Sequence, residues 1–243
     1  MEITTVADGV HFVRTRLVNW VLLVEGDRVA LIDAGYPGQL EDVEKSVRRV
    51  GRSPEEIEAV LVTHAHVDHI GSVPELVARY GTRVLTSEVE GRNVRGEVHE
   101  SATPLDVLTR SYDPRVALWG VQVALAGGTR HPHVDVVEAV EFGIPLDLPC
   151  SPVAVSLAGH TSGHTAYVVP SAGAIALGDA LATGHAISRR TGPQLLRGFF
   201  HHDEELLRRT LVHLRQVKAD RLLPGHGPTL ECNLAEAVDA ALA

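Results

Sequence analysis

Thr63-His64-Ala65-His66-Val67-Asp68-His69 places four potential metal ligands within six residues, directly behind the apolar run Ala59-Val60-Leu61-Val62. That run has the length and composition of a buried strand, so a strand is expected to end where a metal site begins. Imidazole and carboxylate suit zinc, iron or manganese, and no Cys lies nearby to favour a thiolate cluster. His64 and His66 alternate while Asp68 and His69 are adjacent, so one short loop can offer two ligands to one metal and two to a neighbour. So many titratable groups at a strand end are costly unless something coordinates them, which disfavours a merely polar loop.

Working outward, the flanks alternate strand and helix. Upstream, Val10-Val13, Asn19-Val24 and Val29-Ile32 are short apolar runs, with Glu25-Gly26-Asp27 as a hairpin signal between the last two. Asp33 to Gly38 closes the third run with a Gly/Pro loop, and Leu40, Val43, Val47 and Val50 then recur at helical spacing before Gly51. Downstream, Val73 to Tyr80 predicts a helix with Pro74 in its first turn and Gly81 at its end, and Arg83 to Thr86 predicts another strand. The class is therefore α/β. From about 88 to 150 the pattern loosens, with pieces of helix at Val107-Leu108 and Val116-Trp119, and this stretch is expected to be a helical insert covering the site of a single domain that spans 1–243. His131-Pro132-His133 within it reads as a solvated loop in preference to a second metal site.

In the second half each clear strand ends in a ligand type. Val153-Leu157 leads to Gly159-His160-Thr161-Ser162-Gly163-His164, Ala174-Leu177 leads to Gly178-Asp179, and Arg221-Leu223 leads to Gly225-His226-Gly227. Glycine beside each ligand lets the backbone turn sharply and approach closely. Leu206, Leu207, Leu211, Leu214 and Val217 form a helical apolar stripe suited to core packing, with Asp203 as its cap.

Composition narrows the partners. A formal net charge of -9 over 243 residues argues against nucleic acid, because phosphate binding relies on clustered Lys and Arg. No run approaches the roughly 18 apolar residues of a membrane helix, and Met1-Thr5 does not open a secretion signal. Two cysteines, Cys150 and Cys232, fit a reducing compartment, so the cytoplasm is the expected location. The expected partner is a small-molecule substrate; the oligomeric state is open, with a homodimer among the options.

The ordered set His64-Ala65-His66-Val67-Asp68-His69, Gly159-His160-Thr161, Gly178-Asp179 and Gly225-His226-Gly227 closely resembles the metallo-β-lactamase-fold hydrolases, over residues of about 19 to 228. Asn19 and Leu31-Ile32-Asp33-Ala34-Gly35 also resemble that fold's opening hairpin. The resemblance implies a four-layer αβ/βα sandwich with metals at one edge between two sheets. It also implies that His64, His66 and His160 hold one metal and Asp68, His69 and His226 the other, with Asp179 bridging and with Asp33 and His164 orienting ligands from behind. Asp179 stands where zinc β-lactamases of the commonest type carry Cys, which turns the resemblance towards the glyoxalase II and lactonase branches. The chain ends 17 residues after His226, too soon for the helical domain with which glyoxalase II enzymes bind glutathione. The loop after Asp179 lacks the Tyr of the best-known homoserine-lactone hydrolases.

The expected activity is hydrolysis of a small ester, thioester or lactone. Two divalent ions, zinc first and iron or manganese next, would bind a water between them, lower its pKa from about 16 towards 7, and supply the bridging hydroxide as nucleophile. Asp68 is the candidate catalytic residue, as proton acceptor as well as ligand. His185, Arg189 and Arg190 are candidate substrate residues, an Arg being suited to clamping a carboxylate. The alternatives are an iron-dependent oxidoreductase, such as a sulfur dioxygenase, on the same ligand frame, and a β-lactam hydrolase.

Overall fold

Strand pairing divides the chain near residue 150. The computed structural model describes residues 1–243. Its first sheet takes β1 (Glu2–Ala7), β2 (Val10–Arg14), β3 (Asn19–Glu25), β4 (Arg28–Ile32), β5 (Ile57–Leu61), β6 (Arg83–Thr86) and β7 (Glu138–Ala139) in simple chain order. The first four strands pair antiparallel, and β4 through β7 run parallel. The second sheet is ordered β12 (Leu230–Glu231), β11 (Arg221–Pro224), β10 (Ala174–Gly178), β9 (Thr165–Val169) and β8 (Val153–Ser156), with a parallel pairing only between β10 and β11. Helices α1 (Leu40–Arg49), α2 (Val67–Ile70), α3 (Val73–Tyr80), α4 (Glu88–Val94), α5 (Pro104–Leu108) and α6 (Pro114–Leu125) belong to the first half, and α7 (Glu204–His213) and α8 (Leu234–Leu242) to the second.

Three apolar clusters make four layers of this list. Alternate side chains of the first sheet, among them Phe12, Val21, Leu23, Ile32 and Leu61, meet Tyr167, Val169, Ala176 and Leu223 of the second to form the buried middle. The opposite face of the first sheet packs Leu22, Leu31 and Val60 on Val43 and Val47 of α1 and Leu76 of α3. There the Trp20 indole N–H also donates to Ser46 Oγ at 3.1 Å. The outer face of the second sheet, with Ala166, Ile175, Leu177 and Leu222, is covered by Leu207 and Leu211 of α7 and Val238 of α8. The fold is the αβ/βα sandwich expected for the metallo-β-lactamase fold. None of its helices is long and apolar enough to cross a membrane.

Several elements lie where the sequence offered little. Strand β9 follows directly on His164 and is buried on both faces, so its residues show no alternation. The 88–150 stretch does not behave as one insert. Helix α4 is part of the core, with Glu90 and Val94 fully buried; β7 extends the first sheet; Leu148 joins the middle layer. Only the part carrying α5 and α6, together with the turns on either side, lies against the candidate site. His131 and His133 are exposed, and no third ligand type joins them in a metal-sized cluster.

Candidate metal centre

The parallel strands β4, β5, β10 and β11 deliver their C-terminal ends to one edge between the sheets, a placement that follows from parallel pairing and needs no special loop. Hydrogen bonds across the sheets close that edge: Thr165 N–H donates to Thr63 O at 2.9 Å, and Asn19 N–H to Gly225 O at 2.9 Å. Asn19 secures the last loop, its side-chain amide donating to Pro224 O at 3.0 Å and Gly227 O at 2.8 Å. Gly225 is required by proximity, since a Cβ there would sit 2.3 Å from Asp179 Oδ1. Gly159, at φ +133°, would drive a Cβ to within 2.2 Å of the Leu207 backbone nitrogen.

Seven side chains converge there in two groups: His64, His66, His160 and Asp179, and beside them Asp68, His69 and His226. The six other than Asp68 are at most 8% exposed. His160 Nε2 lies 3.2 Å from His64 Nε2 and 3.1 Å from His66 Nδ1. Asp179 belongs to both groups by distance, with Oδ2 3.2 Å from His226 Nε2 and 3.7 Å from His160 Nε2, and Oδ1 3.3 Å from His69 Nε2. Asp68 Oδ2 stands 3.3 Å from His226 Nε2.

The second nitrogen of each imidazole explains which nitrogen faces inward. His64 Nδ1 donates to Thr63 Oγ1 at 3.0 Å, and the Thr63 hydroxyl donates on to Asp33 Oδ2 at 2.7 Å. His66 Nε2 donates to Glu100 O at 2.8 Å, His69 Nδ1 to Asp33 Oδ2 at 2.7 Å, and His226 Nδ1 to Leu17 O at 2.7 Å. His160 Nδ1 donates to His201 Nδ1 at 2.9 Å, and His201 Nε2 in turn donates to Leu196 O at 3.2 Å. Five imidazoles are thus anchored from behind and turn their other nitrogen to a common interior, which is how metal-binding histidines are held. His69 Nε2 and Asp179 Oδ1 are buried with no hydrogen-bond partner, a cost that a cation between them removes. These His and Asp residues are positioned to bind metal ions.

Electrostatics agree with that reading. Burial, reinforced by neighbouring imidazoles, holds His64 and His160 well below the usual histidine range, so both keep free lone pairs. At His226 burial acts downward, but Asp179 and Asp68 outweigh it and raise the ring to about 10. Burial likewise opposes ionisation of Asp68, yet His69 and His226 hold its carboxyl at about 2. The acidic groups therefore draw positive charge to this spot, as protons when nothing else is bound.

Asp33 sits behind the cluster at φ +63°, its Oδ1 accepting from Thr63 N at 2.8 Å while Oδ2 serves Thr63 Oγ1 and His69. His164 lies deeper: its Nε2 accepts from Asp179 N–H at 3.3 Å and its ring stacks on His64 with centroids 5.0 Å apart. Of the candidate substrate residues, His185 lines the cavity above the cluster, its ring centroid 4.8 Å from that of His226. Arg189 and Arg190 do not. Both are exposed and outside the cavity wall, because Gln194 folds their loop back by bonding Arg190 O and Gly192 O, each at 3.0 Å. The expectation of an Arg clamp from this loop is corrected accordingly.

Four contributors are not among the candidate site residues named from the sequence. His201 is the partner of His160 described above, and Tyr36 lines the cavity with a phenol kept protonated by burial and by the charges of Asp68 and Asp179. Trp119 of α6 forms part of the apolar wall. Glu90 of α4 is fully buried and accepts from Ala65 N at 2.8 Å, Thr161 Oγ1 at 2.6 Å and Gly163 N at 3.1 Å, tying together the His64 and His160 loops. Tyr36 and Trp119 had a local signal, the first lying three residues beyond Asp33 in the same Gly/Pro loop and the second in the helical stretch expected to cover the site.

Comparison with known proteins gives consistent results. The model of the Metallo-beta-lactamase superfamily matches residues 13–226. The uncharacterized protein YobT of Bacillus subtilis is 28% identical over 178 residues, covering 70% of this chain and 66% of YobT, just under two thirds of its length. The probable metallo-hydrolase YflN of the same organism is 24% identical over 91% of this chain and 84% of YflN. Among solved structures, BJP-1, a subclass B3 metallo-beta-lactamase of Bradyrhizobium japonicum, superposes with a TM-score of 0.70 at 18% identity, covering 99% of this chain and 90% of that one. At that identity the likeness is one of fold.

Proposed function

The chain belongs to the metallo-β-lactamase superfamily, and from that premise we propose that it is a dinuclear metallo-hydrolase cleaving a small ester, thioester or lactone. The observation that carries the proposal is the sharing of Asp179 between two converging donor groups. His64, His66 and His160 would hold one cation, Asp68, His69 and His226 the other, and Asp179 both. Zinc suits a site of imidazoles and carboxylates. Cations held there supply a Lewis acid for the carbonyl and activation of water at neutral pH.

The chain's own residues do the rest. Asp68, ionised and facing the cavity, accepts the proton released when water attacks. Tyr36, protonated and in the same cavity, is placed to donate to an oxygen that gains charge. The Thr63–Asp33 and His201–Leu196 chains keep the imidazoles in one tautomer throughout. The presence of Asp at 179 supports the glyoxalase II and lactonase side of the superfamily, and the absence of Lys and Arg from the cavity wall speaks against a polynucleotide substrate.

The test is elemental analysis of protein purified without chelator, together with a panel of esters, thioesters, lactones and lactams. About two zinc ions per chain and turnover of an ester, thioester or lactone are expected. At most one metal after resupply sinks the dinuclear assignment, and iron with oxygen consumption in place of hydrolysis replaces the hydrolase with an oxygenase.

A further inference from the structure

We propose that the group flanking the scissile carbonyl is an uncharged aliphatic chain, bound in the cavity between α5, α6 and Phe200. The proposal rests on the hydrolase reading and specifies its substrate. The cavity has a volume of about 400 Å³, ends on His66, Asp68, Asp179 and His226, and has no Lys or Arg in its wall. Its sides are supplied by Val107 and Leu108 of α5, Trp119 and Val123 of α6, and Phe200. At the rim Leu108 is 69% and Val121 58% exposed. Apolar side chains left open beside a site are an unfavourable use of surface unless a ligand covers them.

Away from the metal-ligand end, the cavity wall carries no Lys or Arg. A carboxylate or phosphate held against that part of the wall would lose its water without gaining a cationic side chain, at a cost far above that of an apolar group. Basic side chains behind the wall are already engaged, Arg197 with Asp113 and Ile187 O and Arg110 over the Phe199 ring, and others line a neighbouring cleft that meets the cavity at His66 and at Ser101, Ala102 and Pro104. There Arg95 is already bound to Glu97 at 2.5 Å, and Arg130 is exposed. In the apolar part of the cavity His185 stands among aromatic faces, its ring centroid 5.6 Å from that of Trp119 and 5.4 Å from that of Phe200. An aliphatic arm is the chemistry that this wall satisfies.

The experiment uses metal-loaded protein and 4-nitrophenyl esters from acetate to decanoate, the corresponding γ-lactones, and 4-nitrophenyl suberate, which is the octanoate chain ended by a carboxylate. The expected kcat/KM rises about fourfold per methylene through at least hexanoate, from the ~0.8 kcal/mol of a buried CH₂. Suberate is expected at least about 100-fold below octanoate, the cost of an unpaired buried charge. Val107→Arg, and the milder Val107→Ser should the first fail to fold, are expected to lower the octanoate-to-acetate ratio several-fold. Binding is read separately with octanamide, which should change Trp119 fluorescence saturably while suberamic acid does not; Trp119→Phe should remove the signal, because Trp20 is sealed in the core at 1% exposure. A flat chain-length profile, or suberate within about tenfold of octanoate, overturns the proposal. Octanamide binding without hydrolysis of any substrate refutes the hydrolase reading and supports the apolar pocket; neither binding nor hydrolysis refutes both.

Discussion

The strand-end loops and the wall formed by α5 and α6 face the same cavity and are built in opposite ways. In the loops, five imidazoles each have a fixed partner behind them, and Glu90 and Asp33 bind neighbouring turns together. In the wall, side-chain capping by Thr103 and Asp113 starts two helices whose outer residues Leu105 and Leu125 are 65% and 83% exposed, with Tyr112 in the turn between them 88% exposed. The contrast teaches that reaction geometry is over-determined here while the surface that meets the variable part of a substrate is lightly held. Sites commonly divide labour in this way.

The largest effect should come from the loops. Asp68→Ala removes a donor and the proton acceptor together, so hydrolysis of the best panel substrate should fall by about 10²- to 10⁴-fold, with metal content only partly reduced. A variant that kept full rate would remove Asp68 from the chemistry and narrow the difference between loops and wall.

Next come the groups behind the ligands. His201→Ala takes away the acceptor of His160 Nδ1, and His164→Ala takes away the support of the Asp179 backbone. Each should weaken zinc affinity by about 10- to 100-fold in a chelator competition. Chain-length preference should not change in either. If His164→Ala abolished one metal outright while Asp68→Ala retained both, the ligand assignment would have to be rebuilt around His164.

Glu90 offers a pH test. Burial leads its shifts and pushes the carboxyl to about 7 from 4.5, although three donors favour the ionised form. Below pH 4.5 the group is protonated in both folded and unfolded chains and contributes no penalty. Between 4.5 and 7 only the unfolded chain ionises, so stability is lost as pH rises and levels off above 7. The Tm of the native protein relative to Glu90→Gln should therefore decline across that window, by an amount equivalent to at most about 3 kcal/mol. A relative Tm that rises instead would show that the Ala65, Thr161 and Gly163 donors outweigh burial.

The smallest change is expected in the wall. Leu108→Ser should alter stability by no more than about 0.5 kcal/mol in denaturant titrations, as exposed substitutions usually do. A loss of about 2 kcal/mol or more would mean that α5 supports the core and that the contrast between the two regions is overdrawn.

How much of this was legible follows from the same contrast. The His64–His69 cluster and the Gly-flanked His160, Asp179 and His226 could be read because ligand chemistry restricts residue type and spacing, and the strands before them are apolar runs. Strand β9 was hidden by its position, since Thr165-Ala166-Tyr167-Val168-Val169 begins where the His160–His164 ligand loop ends, with no turn residue between them. Glu90 could not be recognised, because a single acid in a short helix has no pattern and its partner Thr161 lies 71 residues away. Arg189 and Arg190 were misread because spacing after a strand says nothing about which way a loop turns, and Gln194 turns this one outward.

The clean division of the two sheets along the chain has a consequence for how the protein is made. The first sheet is complete by Ala139 and the second begins at Val153. A ribosome that has released only the first sheet has exposed His64, His66, Asp68 and His69 but none of His160, Asp179 or His226. The nascent half thus carries an open, incomplete set of donors, and each group gains its remaining members only as the second sheet docks. Metal loading of the complete sites would therefore follow docking of the second sheet, and bound cations would add a link between halves already joined by apolar packing and by the Thr165–Thr63 and Asn19–Pro224 hydrogen bonds.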